Sequence, residues 1–145
     1  MSGVTYEPIA RGKNLLLFTG ILLIIIGAVN TVLGLIVFVD SDVLNYFLNI
    51  GEWTPVHGII LLIEGCFVAF VGYTGIINRE HPKEADLCKN LSAIYILWII
   101  AGRILFWNIF SSAPSVGIHM IYQILVALIV PILYFIGAHK NQTGV

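Results

Sequence analysis

From Leu15 to Val39 the chain runs for 25 residues without one Asp, Glu, Lys or Arg. As a helix rising about 1.5 Å per residue, such a run is longer than the roughly 30 Å hydrocarbon core of a bilayer. It has no polar face to turn toward water, so the expected fold is a membrane span and not a helix of a soluble domain. Three more apolar stretches follow, which gives four expected spans at about 14–39, 53–77, 91–110 and 116–138. Hydrophobic residues make up 59% of the chain and charged residues 10%, proportions that fit an integral membrane protein and no ordinary soluble one. The fold class expected is therefore an all-α membrane protein, one antiparallel bundle of four transmembrane helices over residues 1–145. The first run is too long for a signal-peptide core and is read as an uncleaved span.

Basic residues set the expected orientation. Arg11 and Lys13 precede span 1, Arg79, Lys83 and Lys89 lie between spans 2 and 3, and Lys140 follows span 4. The other two loops carry no Lys or Arg, so the positive-inside rule places both termini in the cytoplasm. Between spans 1 and 2, Asp40 or Asp42 can cap a short helix whose face is Val43, Leu44, Phe47 and Leu48, with Gly51 ending it. That pattern suggests an interfacial helix over the outer mouth of the bundle. On the inner side Asn78 to His81 is a tight connection and Pro82 suits the first turn of a helix leading into span 3. Spans 2 and 3 are thus expected to pack as antiparallel neighbours. A formal net charge of -1 argues against a nucleic-acid partner. The lipid bilayer is the expected surrounding.

Glycines recur every seven residues in two spans: Gly20, Gly27 and Gly34 in the first, Gly58, Gly65 and Gly72 in the second. In each helix they form a nearly straight stripe where another helix can approach closely. Superposing Thr19 to Leu23 on His57 to Leu61 aligns all three glycines and hints at a duplicated helix, a match that spans 3 and 4 do not share.

Each span also carries one strongly polar side chain. Counted inward from the outer ends at about 1.5 Å per residue, Asn30 lies about 14 Å deep, Glu64 about 16 Å, and Arg103 and Gln123 about 11 Å each. All four fall in one slab of the membrane. A charge at that depth costs roughly 2.5–3.5 kcal/mol to insert, so Glu64 and Arg103 are expected to face inward and to be partnered. The Arg103 fork could bond Glu64 with two donors and still reach Asn30 or Gln123. One reading is a satisfied network that fixes helix order; the other is a solute or ion site. Pairing with Arg103 would keep the Glu64 carboxyl ionised, which argues against a simple proton carrier.

His57, one heptad outward of Glu64, and His119, one turn outward of Gln123, flank an outer vestibule. Two histidines at matching depth can hold haem or a divalent metal. No second histidine pair or ligand motif accompanies them, so neither metal nor cofactor is expected. Cys66 and Cys88 form no metal-ligand or redox spacing. Trp53, Trp98, Trp107, Tyr46, Tyr95, Tyr122 and Tyr134 include candidates for the interfacial aromatic belts. Pro131 falls within span 4 and should free a carbonyl near residue 127, producing a kink on the cytoplasmic half.

The glycine-punctuated first span, Gly75-Ile76-Ile77-Asn78 closing the second, the short Pro-Lys connection and Leu87-Cys88-Lys89 entering the third resemble small four-span membrane proteins of Gram-positive bacteria. The resemblance covers about three spans and implies a tetraspan fold in a bacterial plasma membrane. The chain is also similar to the small multidrug transporters in having an intramembrane Glu among four spans. It departs from them because Glu64 lies in the second span, where Arg103 would compete for it.

No Ser-His-Asp set, HExxH, GxSxG or phosphate-binding glycine loop is present, so no enzymatic activity is expected. The glycine stripes favour a protein that works through helix contacts, as a homo-oligomer or an accessory subunit of a membrane complex. The alternative is a small transporter or channel subunit that uses Asn30, Glu64, Arg103 and Gln123 as its solute site.

Overall fold

Thr54 and Pro55 start the second helix, Asn78 ends it, and a proline turn feeds the third, so backbone chemistry divides the chain much as hydropathy does. The computed structural model describes residues 10–40, 42, 54–110 and 118–143, and side chains of these outside 103–123. Helix α1 spans Lys13–Val39 and α2 spans Pro55–Asn78. A 3-10 turn at Pro82–Glu84 leads into α3, Ala85–Phe110, and α4 spans Ile118–Thr143. All four helices are long and apolar enough to cross a membrane. The expected interfacial helix falls on residues outside those described, apart from Asp40 and Asp42; the Asp40 carboxylate accepts the Asp42 N–H at 3.1 Å.

Between α2 and α3 the chain turns on two backbone bonds: the His81 N–H donates to the Asn78 carbonyl at 3.0 Å and the Glu84 N–H to the His81 carbonyl at 3.0 Å. Pro82, with its fixed φ and no N–H to satisfy, opens the 3-10 turn and not the α-helix itself.

The closest helix pair is α1 with α2, and glycine is the reason. Gly20 faces Gly72, Gly27 faces Gly65 and Gly34 faces Gly58, as expected for antiparallel helices. A Cβ added to Gly27 would sit 2.6 Å from both the Gly65 carbonyl oxygen and the Ala69 nitrogen; one added to Gly58 would sit 2.5 Å from the Phe38 nitrogen. Only hydrogen fits there. The contacts are also self-similar. Gly20 meets Gly72 and Ile76 while Gly58 meets Gly34 and Phe38, and Gly27 meets Ala69 while Gly65 meets Thr31. Adding 38 to each α1 number gives its α2 counterpart, so the two helices are related by an approximate two-fold rotation centred on Gly27 and Gly65.

Below that seam lies the apolar core. Leu16 and Leu23 of α1, Val68 and Val71 of α2, Cys88, Tyr95 and Ile99 of α3, and Tyr134 and Ala138 of α4 form one buried cluster. Phe67 and Tyr95 meet edge to face with ring centroids 6.2 Å apart. Tyr95 and Tyr134 are therefore core residues, not belt residues: each is under 5% exposed. Trp98, at 40% exposed, keeps a position open to lipid.

Two further features concern helix packing and the end of α4. Among the described residues, α2 and α3 touch much less than α1 and α2 do, because the short turn brings them together while no glycine stripe lets them close up. And α4 runs to Thr143, past the expected end at 138, because a helix need not stop where the bilayer does. Its last polar turns are held by side-chain bonds to other helices, and the Thr143 hydroxyl donates to the His139 carbonyl at 3.0 Å. The helix also continues through Pro131, which is buried.

Candidate functional site

Leu16, Leu23, Asn30 and Val37 follow one another at seven-residue spacing along α1. The three apolar members are at most 1% exposed, whereas Asn30 is half-buried. Asn30 is thus the polar member of the stripe that α1 turns toward the other helices. On α2, His57, Glu64, Val68, Val71 and Gly75 share a face by helical spacing. Val68 and Val71 are fully buried, and a Cβ on Gly75 would run into the Tyr134 ring. Glu64 and His57, both half-buried, lie on the same inward face, while Ile63 and Phe70 point outward at 60% and 54% exposure.

The Gly27–Gly65 crossing fixes relative depth. Residues whose numbers sum as Gly27 and Gly65 do lie level with each other, which sets Asn30 beside Leu62 and Glu64 beside Ala28. Asn30 and Glu64 then differ in depth by about 3 Å along the pair. Both sit one layer outward of the closed core formed by Leu23 and Val68.

Arg103 is in α3 and Gln123 and His119 are in α4, but their side chains lie outside the described residues. Of the six positions in the expected site and vestibule, the structure places three: Asn30, Glu64 and His57.

His57 has a local task. Its Nδ1 accepts the Thr54 backbone N–H at 3.1 Å and lies 2.8 Å from the Thr54 hydroxyl, so the ring fastens the first turn of α2. Among the described residues no group of three His, Cys, Asp or Glu side chains is placed to hold a metal ion. Thr31, Thr19 and Thr74 return their hydroxyls to carbonyls four residues back, at 2.8, 2.6 and 2.8 Å, and so contribute no open donor to the layer.

A second polar set lies toward the end of the bundle where α1 starts and α4 ends. The Tyr134 hydroxyl donates to the Val71 carbonyl at 2.8 Å, and the Ser92 hydroxyl to the Pro131 carbonyl at 2.7 Å. The Asn141 amide donates to the Arg79 carbonyl at 2.8 Å, capping the end of α2. Gln142 accepts from the Lys89 ammonium and donates to the Asp86 carboxylate, each at 2.7 Å, while Lys89 and Asp86 pair at 3.0 Å. The available signal was Ser92 inside an apolar run and two adjacent amides beyond a span end.

No protein-family model, no curated protein and no solved structure matches the chain. The four helices, each long and apolar enough to cross a membrane, make the chain compatible with an integral membrane protein.

Proposed function

We propose that the chain is a non-enzymatic integral membrane protein that receives a polar or cationic solute at Asn30 and Glu64 from the outer side of the membrane, as a small transporter or channel subunit. One observation carries this reading: both residues are half-buried on inward faces, directly outward of a core that is closed. Residues of a purely structural network would be expected to be as enclosed as that core. The glycine stripes, which argued for association with other chains, are taken up by each other within this one. Arg103 and Gln123 are expected at the same depth from α3 and α4, with His57 and His119 nearer the mouth. Four helices enclose little space, so passage through the membrane would call for two or more chains.

A bacterial plasma membrane with both termini cytoplasmic is the matching location. Support comes from the basic residues, since Arg11, Lys13, Arg79, Lys83, Lys89 and Lys140 all belong to one end of the helices. Gly12 packs on the Gly137 carbonyl and near Asn141, so the start of α1 and the end of α4 share that end.

Single cysteines test the site. In a Cys66→Ala background, Asn30→Cys and Glu64→Cys should react with a membrane-impermeant methanethiosulfonate added from outside, and Val68→Cys should not. If positions 30 and 64 are as inert as 68, the layer is sealed and the solute reading fails.

A further inference from the structure

The fold separates the charges at the end of the bundle where α1 starts and α4 ends. Around the turn from α2 to α3, Arg79, Lys83 and Lys89 are matched in number by Glu80, Glu84 and Asp86. Two of the pairs are made, Arg79 with Glu80 at 3.6 Å and Lys89 with Asp86 at 3.0 Å. Arg11 and Lys140 are different: both are exposed, no Asp or Glu occurs within residues 10–16 or 136–143, and neither forms an ion pair among the described residues. The positive-inside rule asks for cations at this end but not for their separation from the acids.

Helical spacing puts Arg11 and Lys140 on the two banks of one outward-facing groove. Around α4, Gly137 turns to α1, Tyr134 to α2 and Gln142 to α3. At about 100° per residue, Lys140, Leu133 and Val126 then fall on the far side of Gly137 from Tyr134, beside α1. Around α1, Gly20 turns to α2 and Leu15 to Gly137, so Arg11, Phe18 and Ile25 come next beyond Leu15, beside α4. Leu133, Val126, Phe18 and Ile25 are all exposed, as residues facing lipid are. The contacts of Gly12 with Gly137 and Asn141, and of Gly137 with Leu16, set Arg11 level with Lys140 and Phe18 level with Leu133 to about one turn. Each bank is an apolar strip that ends in a cation. Cationic pockets between membrane helices suit anionic lipid headgroups, and the strips below suit the chain attached to one.

We propose that the groove between α1 and α4 binds an anionic phospholipid, its phosphate held by Arg11 and Lys140 and an acyl chain lying between Phe18 and Leu133. The site depends neither on the solute reading nor on which compartment this end faces.

The test reconstitutes the full chain in phosphatidylcholine nanodiscs with a minor fraction of phosphatidylglycerol and counts, by native mass spectrometry, the lipid that stays bound after transfer to mild detergent. Wild type should retain phosphatidylglycerol over phosphatidylcholine, and Arg11→Gln with Lys140→Gln should weaken that preference about thirtyfold, the worth of two cations at an anionic surface. Arg79→Gln with Lys83→Gln removes the same charge from the balanced side and should leave the preference unchanged. A phosphatidylglycerol with a diazirine on its acyl chain should label wild type most within 11–25 and 126–140. No loss in the first variant, equal loss in both, label spread evenly over the four helices, or displacement of the lipid by millimolar inorganic phosphate would each overturn the site.

Discussion

Gly27 and Gly65 meet backbone to backbone at the centre of the α1–α2 crossing, each within 2.7 Å of where a Cβ on the other would lie, measured to its carbonyl oxygen. The contact binds two parts of one chain, and consequences for mutation follow from that. Gly27→Ala should destabilise the fold by about 1–3 kcal/mol through overpacking, and Gly27→Leu by more. Gly102→Ala is the control, because among the described residues the nearest atom to its Cβ is 3.9 Å away on Trp98. It should be neutral or gain up to about 1 kcal/mol of helix propensity. Thermal or denaturant unfolding in detergent separates the two; equal losses at both positions would mean the seam is not where the helices are tight.

Tyr134 joins α4 to α2 through one buried bond to the Val71 carbonyl. Tyr134→Phe should cost about 0.5–1.5 kcal/mol, the worth of that bond. Tyr134→Ala should cost about 3–5 kcal/mol, since it also empties the space against Gly75. Unfolding of the two variants side by side gives the ratio, and an equal loss in both would remove the packing role.

Glu64→Gln takes the charge off α2 and spares about 2.5–3.5 kcal/mol of insertion cost. The variant should therefore insert at least as well as wild type while losing response to cationic solutes in reconstituted vesicles. Normal flux after this change would take the carboxylate out of the proposed site.

Lys89→Ala breaks a surface pair with Asp86 and a bond to Gln142, all near water. Its effect on global stability should stay below about 1 kcal/mol and shrink further in high salt. A loss of several kcal/mol would show that the inner end is drier than its exposure suggests.

The four spans were legible because hydropathy over 20 residues is a strong signal, and the glycine stripes because a seven-residue period marks one helix face. What the stripes could not tell was whose helix would fill them. A stripe specifies close approach and nothing about the identity of the neighbour, so Gly27 and Gly65 pointed equally well to another chain. The helix beyond the expected span end was not legible for a related reason: His139, Lys140, Asn141 and Gln142 are too polar for a span, but Asn141 and Gln142 bond to Arg79, Asp86 and Lys89 and the turn remains helical. Depth counting brought Asn30 and Glu64 to one level, which the Gly27–Gly65 crossing reproduces to about 3 Å by register. Tyr134 could not be sorted between belt and core in advance, because an aromatic ring near a span end has the same composition whether it turns toward lipid or toward Val71.

The relation between α1 and α2 by a constant offset of 38 residues also bears on how the chain enters the membrane. A hairpin whose seam maps onto itself when inverted fits together equally well either way up. Its packing holds no record of top and bottom. The choice of side must therefore be written elsewhere, in Arg11, Lys13 and the cations around the second turn, and a handful of surface charges outside the seam decides which compartment the Glu64 layer faces.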